Sequence, residues 1–222
     1  MENSFIFCMS DLEEEKRRRQ ELFASVGAFG CVLGFGNYRD PGLVAYASSP
    51  VTTGYRMYAA FRTSGVTSVE QLKAKDSAAY RREIMDPNIA AGESFAAQLR
   101  ATARYKHVIS PASFFAQGWT QDHYMAFWRS TIKAFANAVH LNEGWESSNG
   151  CVEEYLIAYE SGKLVYEGLS DAPLFPSAAA EKIYVAIEKI AAQGASVEKL
   201  LALHHHISIA ALIDRKSTPL LR

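Results

Sequence analysis

The sequence predicts an α/β protein with a doubly wound parallel sheet of about five strands flanked by helices. Short apolar runs of strand length alternate with longer segments of helical periodicity, the order that a parallel sheet with crossover helices requires. The chain has 222 residues, 49% of them hydrophobic, which is enough to bury a full core in one elaborated domain. We therefore expect one α/β core with additions at both ends.

Three parts follow from the pattern along the chain. Residues 1–41 are predicted to be an N-terminal extension packed on the main domain, because a strand-length run at 5–9 precedes a charged helix and a glycine-rich stretch. Residues 42–175 are predicted to form the α/β core. Residues 176–222 are predicted to be C-terminal helices, each beginning near a serine suited to a helix N-cap.

Within the core, each strand-length apolar run is followed by a polar loop and then by a helical pattern. The predicted strands are 43–47, 107–109, 138–141 and 164–166. The predicted helices are 55–61, 92–106, 120–136, 150–160, 177–193 and 196–213. Residues 63–91, with helical pieces at 69–75 and 78–85, are expected to lie outside the sheet as a candidate lid.

Charge and hydropathy favour a small-molecule partner. Lys and Arg total 23 against 24 Asp and Glu, so the chain offers no broad basic field for nucleic acid or for an anionic membrane. No apolar run approaches the roughly 18 residues of a membrane span, and the N-terminus lacks the pattern of a secretory signal. We expect a cytoplasmic protein that binds neither nucleic acid nor membrane.

No metal or cofactor is predicted. The three cysteines Cys8, Cys31 and Cys151 lie too far apart in sequence for zinc-ligand spacing. The consecutive histidines at 204–206 point about 100° apart on a helix and cannot share one ion. The chain also carries neither a phosphate-binding P-loop motif nor a dinucleotide-binding glycine motif.

The segment 141–154 gathers the groups that could cleave a glycosidic bond. Glu153 and Glu154 fall in the first turns of a predicted helix, where the helix dipole favours an ionised carboxylate. Such a carboxylate can stabilise or trap the oxocarbenium-like sugar. Ser147, Ser148 and Asn149, followed by Gly150, offer hydroxyl and amide groups for a sugar or a phosphate. Helical phase leaves the two glutamates tied, and a purely structural role for the whole segment stays open.

A second polar loop, Ser48, Ser49 and Pro50, follows the first core strand and precedes a helix. In a parallel sheet such a loop lies at the carboxyl end of its strand, where small residues let the backbone approach a ligand. The aromatic stripe of Tyr124 and Trp128 is interpreted as core, with Trp128 bordering a base as the alternative.

Residues 43–167 resemble the nucleoside 2-deoxyribosyltransferase-like family, whose members transfer or hydrolyse at the glycosidic carbon. The resemblance rests on 46–50 (YASSP), on 137–145 and, most specifically, on 148–154 (SNGCVEE). It implies that Glu154 is the nucleophile and that Tyr46 orients its carboxylate. It also implies a nucleoside or nucleotide substrate, with the first loop and residues 148–150 holding the sugar or phosphate.

Further expectations follow from the same resemblance. Ser148 resembles the residue that the family's nucleoside 5′-monophosphate hydrolases carry at this position. Independently of the resemblance, the aromatic side chain of Trp145 is expected to pack the base. A homo-oligomer is expected, with the helices after Ser177 as the interface.

Two positions depart from the family pattern. Arg129 stands where related enzymes carry an aspartate that helps to protonate the base, and Asn137 replaces a second aspartate. Asp122, earlier on the same predicted helix, is our candidate for the missing proton donor, and Glu146 is the alternative. A non-catalytic nucleotide-binding module that has lost its proton donor is therefore a second hypothesis.

Overall fold

The computed structural model describes residues 43–217, and their centre is a four-stranded parallel sheet. The strands are β1 (Val44–Ser48), β2 (His107–Ile109), β3 (Ala138–Leu141) and β4 (Leu164–Glu167). Their order across the sheet is β2-β1-β3-β4, so the predicted fold class is confirmed for the described part of the chain. The predicted extension, including its strand-length run at 5–9, lies outside the described residues.

Helices occupy the connections between strands and the C-terminal end. They are α1 (Tyr55–Ser64), α2 (Val69–Lys75), a π-helix named π1 (Tyr80–Met85), α3 (Asp86–Ala101), α4 (Gln121–Phe135), α5 (Asn149–Glu160), α6 (Pro176–Ala191) and α7 (Glu198–Ser217), with a short 3-10 turn at Trp145–Ser147. Local chemistry explains their ends: Ser68 caps α2 by accepting from the Gln71 N–H, and Gly65 closes α1 with φ of 61°.

The two faces of β1 carry side chains of different size. Ala45 and Ala47 face α3 and pack in one cluster with Phe95 and Leu99. The small alanines let this helix lie close to the sheet. Tyr46 points to the opposite face and belongs to the larger core, which α4 and α5 cover with side chains such as Trp128 and Val152. Helices therefore pack on both faces, as in a doubly wound fold.

Between β1 and β3 the strand order reverses, which places a crevice at their carboxyl ends. The chain leaves β1 towards β2 on one side and later returns to β3 on the other. In open parallel sheets ligands bind outside the strand ends at this point. The loops after the two strands meet there, since the Asn142 N–H donates to the Ser48 carbonyl over 2.8 Å.

Helix α3 begins earlier than the sequence pattern predicts, at Asp86 instead of residue 92. Pro87 is compatible with a first helical turn, where its missing N–H has no partner to lose. Gly92 lies inside this helix, at a point where an added Cβ would come within 2.6 Å of the Ala112 Cβ. The glycine therefore permits close packing and does not mark the start of the helix. The predicted helix at 78–85 contains the π-helix π1.

Helices α6 and α7 pack against each other, and α7 also packs against α5; their buried side chains include Ile183, Leu200 and Ile207. Their bounds lie close to the predicted 177–193 and 196–213. Within residues 43–217, no helix has the length and apolar character needed to cross a membrane.

Candidate active site

Glu154 lies at the crevice and is held by two hydroxyl groups from β1. The Tyr46 hydroxyl donates to Oε1 over 2.6 Å, and the Ser48 hydroxyl donates to Oε2 over 2.6 Å. Tyr46 and Ser48 are two residues apart on one strand and therefore point to the same face. Glu154 is only 6% exposed, so both carboxylate oxygens have fixed partners.

Burial raises the pKa of Glu154 from 4.5 to about 7. The hydrogen bonds from Ser48 and Tyr46 act in the opposite direction, while the nearby charge of Glu153 raises the pKa further. The pKa of Tyr46 is raised well above its usual value by burial and then by the Glu154 charge. Tyr46 therefore stays protonated and remains a hydrogen-bond donor near neutral pH.

Glu153 points away from this group and has a different environment. Its Oε1 lies 3.0 Å from Arg129 Nη2, and its Oε2 lies 3.2 Å from Lys199 Nζ. These ion pairs join α5 to α4 and α7. The geometry therefore distinguishes the two glutamates, which helical phase could not. Glu154 faces the crevice, and Glu153 faces the helices behind it.

A cavity of about 770 Å³ covers Glu154. Its floor is formed by Ser49, Ser148, Gly150, Cys151 and Glu154. One wall is aromatic and comprises Phe114, Trp119, Tyr124 and Trp128. Trp128 also packs edge-on against Tyr46, with ring centroids 5.8 Å apart. The stripe interpreted as core therefore has a second side that lines the cavity.

The N-terminus of α5 presents hydroxyl groups to the same cavity. Ser148 Oγ caps the helix by accepting from the Cys151 N–H over 3.5 Å, and it lies 2.9 Å from Thr53 Oγ1. Ser49 Oγ is buried and has no hydrogen-bond partner among the described residues. A buried hydroxyl without a partner is costly, so its position at the cavity floor suits a ligand that would complete it.

Cys151 is buried beside Glu154, and burial together with the Glu154 charge raises its pKa to about 12. A nucleophilic cysteine needs the thiolate form. The thiol is therefore a packing group at neutral pH, and Glu154 is the carboxylate that the cavity floor presents.

Trp145 lies in the core and not on the cavity, so the prediction that it packs a base is wrong. Its side chain is fully buried and stacks on Tyr155 with ring centroids 5.7 Å apart. Its indole N–H donates to Glu167 over 3.2 Å. The 3-10 turn after Gly144 directs the indole beneath α5, where it fills space instead of meeting a ligand.

Neither predicted proton donor faces the cavity. Asp122 is exposed on the first turn of α4 and is not among the lining residues. Glu146 accepts a hydrogen bond from the Tyr55 hydroxyl over 3.0 Å and also lies outside the cavity. The prediction of Asp122 as the proton donor is therefore not compatible with its position in this structure.

The remaining predicted binding residues are divided by the structure. Gly150, Ser49 and Ser148 line the cavity, whereas Pro50 lines a separate depression on the other side of the β1 loop. Asn149 forms the first residue of α5 and lines neither.

Sequence reasoning missed three cavity-lining residues, two of which are charged. Arg81, Met85 and Asp86 line the cavity from π1 and the start of α3. No hydrophobic periodicity marks them, because a π-helix has a different repeat from the α-helix for which such patterns are read. Their only sequence signal is their place in the predicted lid segment 63–91.

A protein-family model described as a domain of unknown function (DUF4406) matches residues 85–167. This range includes β2, β3, β4 and the Glu154 helix, and it begins after β1. No curated protein and no solved structure matches the chain.

Proposed function

We propose that this protein cleaves the N-glycosidic bond of a nucleoside or a nucleoside 5′-monophosphate, by hydrolysis or by transfer, with Glu154 as the nucleophile. The observation that carries the proposal is the buried Glu154 carboxylate, gripped by Tyr46 and Ser48 at the floor of a cavity. A carboxylate fixed in this way can attack a sugar carbon without first reorganising its surroundings.

The chemistry follows from the environment of Glu154. In the ionised form one carboxylate oxygen attacks the anomeric carbon, the bond to the base nitrogen breaks with its electron pair going to the base, and a glycosyl ester forms. Forming the ester removes a charge that burial disfavours, so the surroundings that raise the Glu154 pKa also favour the covalent product. Water or a second base then releases the sugar.

The cavity floor supports a sugar or phosphate position next to the nucleophile. Ser49, Ser148 and the first N–H groups of α5 can donate to sugar hydroxyls or to phosphate oxygens. The aromatic wall, with Trp128 and Tyr124, offers flat apolar surfaces on which a base can pack. This division into a polar floor and an apolar wall suits the two halves of a nucleotide.

One observation favours a second candidate function, a nucleotide-binding module without catalysis. Both residues predicted to protonate the departing base, Asp122 and Glu146, lie off the cavity. A pocket that retains its binding groups, but whose predicted proton donors lie elsewhere, would bind a nucleotide without cleaving it.

A panel assay tests the proposal. The protein is incubated with nucleosides and nucleoside 5′-monophosphates, and free base is measured by chromatography. We expect base release by the native protein, loss of at least about a hundredfold in Glu154→Gln, and retention of most activity in Glu153→Gln. Binding of a nucleotide without release of base would support the module, and equal losses in the two variants would contradict the assignment of Glu154.

A further inference from the structure

A charged pair lines the same cavity as Glu154. Of the described residues that line the cavity, three carry charge, namely Glu154, Arg81 and Asp86. Arg81 Nε lies 3.2 Å from Asp86 Oδ1, and neither side chain has another ion-pair or hydrogen-bond partner within residues 43–217. The Arg81 side chain is 74% exposed and the Asp86 side chain is 52% exposed. The pair therefore lies at the cavity mouth, where further guanidinium N–H groups and carboxylate lone pairs are available to a ligand.

The backbone fixes where this pair sits. In π1 the Asp86 N–H donates to the Arg81 carbonyl, five residues earlier, which stacks the two residues on the same side of the turn. The Tyr80 hydroxyl donates to the Thr52 carbonyl over 3.1 Å, and Asn88 Nδ2 donates to the Val51 carbonyl over 3.0 Å. These bonds on either side of the pair tie π1 and α3 to the loop after β1.

We infer that Asp86 and Arg81 read the edge of the base and select guanine; this inference rests on the proposed function, since it places a nucleotide in the same cavity. With the sugar over Glu154 and the base along the aromatic wall, the far edge of the base is directed to the cavity mouth. A guanidinium donates hydrogen bonds and a carboxylate only accepts them. The pair therefore matches a base edge that places a hydrogen-bond acceptor, for Arg81, beside hydrogen-bond donors, for Asp86.

Guanine matches this pair best among the common bases. Its O6 accepts, and its neighbouring N1–H and exocyclic N2–H both donate, so Arg81 can take the acceptor while the Asp86 carboxylate takes two donors. Adenine and cytosine each offer their amino group as the single donor group on that edge, and uracil offers one N–H between two acceptors. A cavity of about 770 Å³ also has room for a purine, since ligand pockets commonly measure about 300–1,000 Å³.

Binding to a cleavage-deficient protein tests the inference directly. Glu154→Gln is titrated calorimetrically with GMP, AMP, CMP and UMP, alone and combined with Asp86→Asn or Arg81→Met. We expect GMP to bind most tightly, and Asp86→Asn to weaken GMP about tenfold or more while AMP and UMP change little. Base release by the single variant Asp86→Asn, with Glu154 intact, should show the same loss of preference for GMP.

The chain offers a matched control in a second ion pair of the same segment. Arg82 Nη2 lies 2.9 Å from Asp76 Oδ2, and neither residue lines the cavity. Asp76→Asn should leave the order of nucleotide affinities unchanged, and circular dichroism should show that each variant keeps its fold.

The outcomes separate this inference from the proposed cleavage. Selective GMP binding that depends on Asp86, without base release by the native protein, would overturn cleavage and support base reading. Base release with a preference that Asp86→Asn does not alter would overturn the inference alone. An equal loss of affinity for all four nucleotides in Arg81→Met would assign Arg81 to a group that all four share, such as the phosphate, and would also overturn the inference.

Discussion

Glu154 combines a stability cost with the reactivity proposed for it. Its pKa rises from 4.5 to about 7 because burial penalises the charged form more than Ser48 and Tyr46 relieve it. At about 1.4 kcal/mol for each pH unit between those values, ionising Glu154 in the folded state costs roughly 3 kcal/mol. Sites that hold such a group commonly trade stability for function.

This cost predicts how stability depends on pH. Below pH 4.5 the Glu154 carboxyl is protonated in both the folded and the unfolded chain. Between 4.5 and about 7 the unfolded chain releases the proton while the folded chain keeps it, so this residue's contribution to the free energy of unfolding falls as the pH rises. Glu154→Gln lacks this loss, so its stability relative to the native protein should rise as the pH rises from 4.5 to about 7.

Urea unfolding of the native protein and Glu154→Gln at a series of pH values measures the difference. We expect the advantage of the variant to grow by up to about 3 kcal/mol between acid and neutral pH. An advantage that stays constant with pH, or that shrinks as the pH rises, would show that Glu154 is not the buried carboxyl described above.

Tyr46 should control the pH dependence of activity. Its hydroxyl donates a hydrogen bond to Glu154 Oε1, with 2.6 Å between the two oxygens. A hydrogen bond to a charged group contributes about 1.5–3 kcal/mol. Tyr46→Phe should therefore raise the Glu154 pKa by about one pH unit or more. Base release at pH 7 should fall and recover in more alkaline buffer.

The pH profile of kcat/KM for the native protein and for Tyr46→Phe checks this shift. Tyr58→Phe is a matched control, because Tyr58 is also a buried core tyrosine but makes no hydrogen bond to Glu154. A uniform loss of activity at every pH in Tyr46→Phe would point to a packing role instead.

At the scale of elements, the close contact of α3 with the strand ends is the most sensitive feature. A Cβ on Gly92 would lie 2.6 Å from the Ala112 Cβ and 3.1 Å from the Ser49 Cβ. Neither neighbour is the end of a flexible side chain, so the helix must move away from the cavity floor. Gly92→Ala should cost about 1–3 kcal/mol, despite the higher helix propensity of alanine.

Urea unfolding again measures the change, with Ala97→Ser as a small substitution on the exposed side of the same helix. The control should alter the free energy of unfolding by less than about 0.5 kcal/mol. A gain in stability in Gly92→Ala would show that α3 has room to accommodate a side chain.

The elements themselves were largely predictable from sequence, whereas the site was predictable in part. Strands such as β2 and β3 follow directly from short apolar runs between turn residues. The choice between Glu153 and Glu154 could not be made by helical phase, because it depends on which neighbours each side chain meets: Arg129 and Lys199 for one, Tyr46 and Ser48 for the other. Such contacts form only in the folded chain.

Trp145 and Asp86 show why the rest of the site was not predictable. Trp145 is adjacent in sequence to the site residues, but the turn after Gly144 buries it in the core. Asp86 is 68 positions before Glu154 in the chain, yet both line one cavity. The position of Trp145 next to the site residues in the sequence therefore led to a wrong prediction. No local sequence pattern indicated that Asp86 would line the cavity.

At the scale of the whole molecule, we expect a homo-oligomer formed through the C-terminal helices. Four apolar side chains on α7 are well exposed, namely Leu201 at 46%, Ile209 at 43%, Leu212 at 59% and Ile213 at 58%. Apolar residues grouped on one helix often mark an interface. Light scattering should give a mass above the 24.5 kDa of one chain, and Leu212→Glu should lower it. A mass of one chain at every protein concentration would contradict this expectation.

Trapping the glycosyl ester tests the central claim most directly. A nucleoside 5′-monophosphate with fluorine at the sugar C2 destabilises the oxocarbenium-like transition states and slows breakdown of the ester. Mass spectrometry of the digested protein should then show the fluorinated sugar phosphate on the peptide that contains Glu154, and no label in Glu154→Gln. Label on another residue, or release of base without any labelled peptide, would contradict the role of Glu154 as the nucleophile.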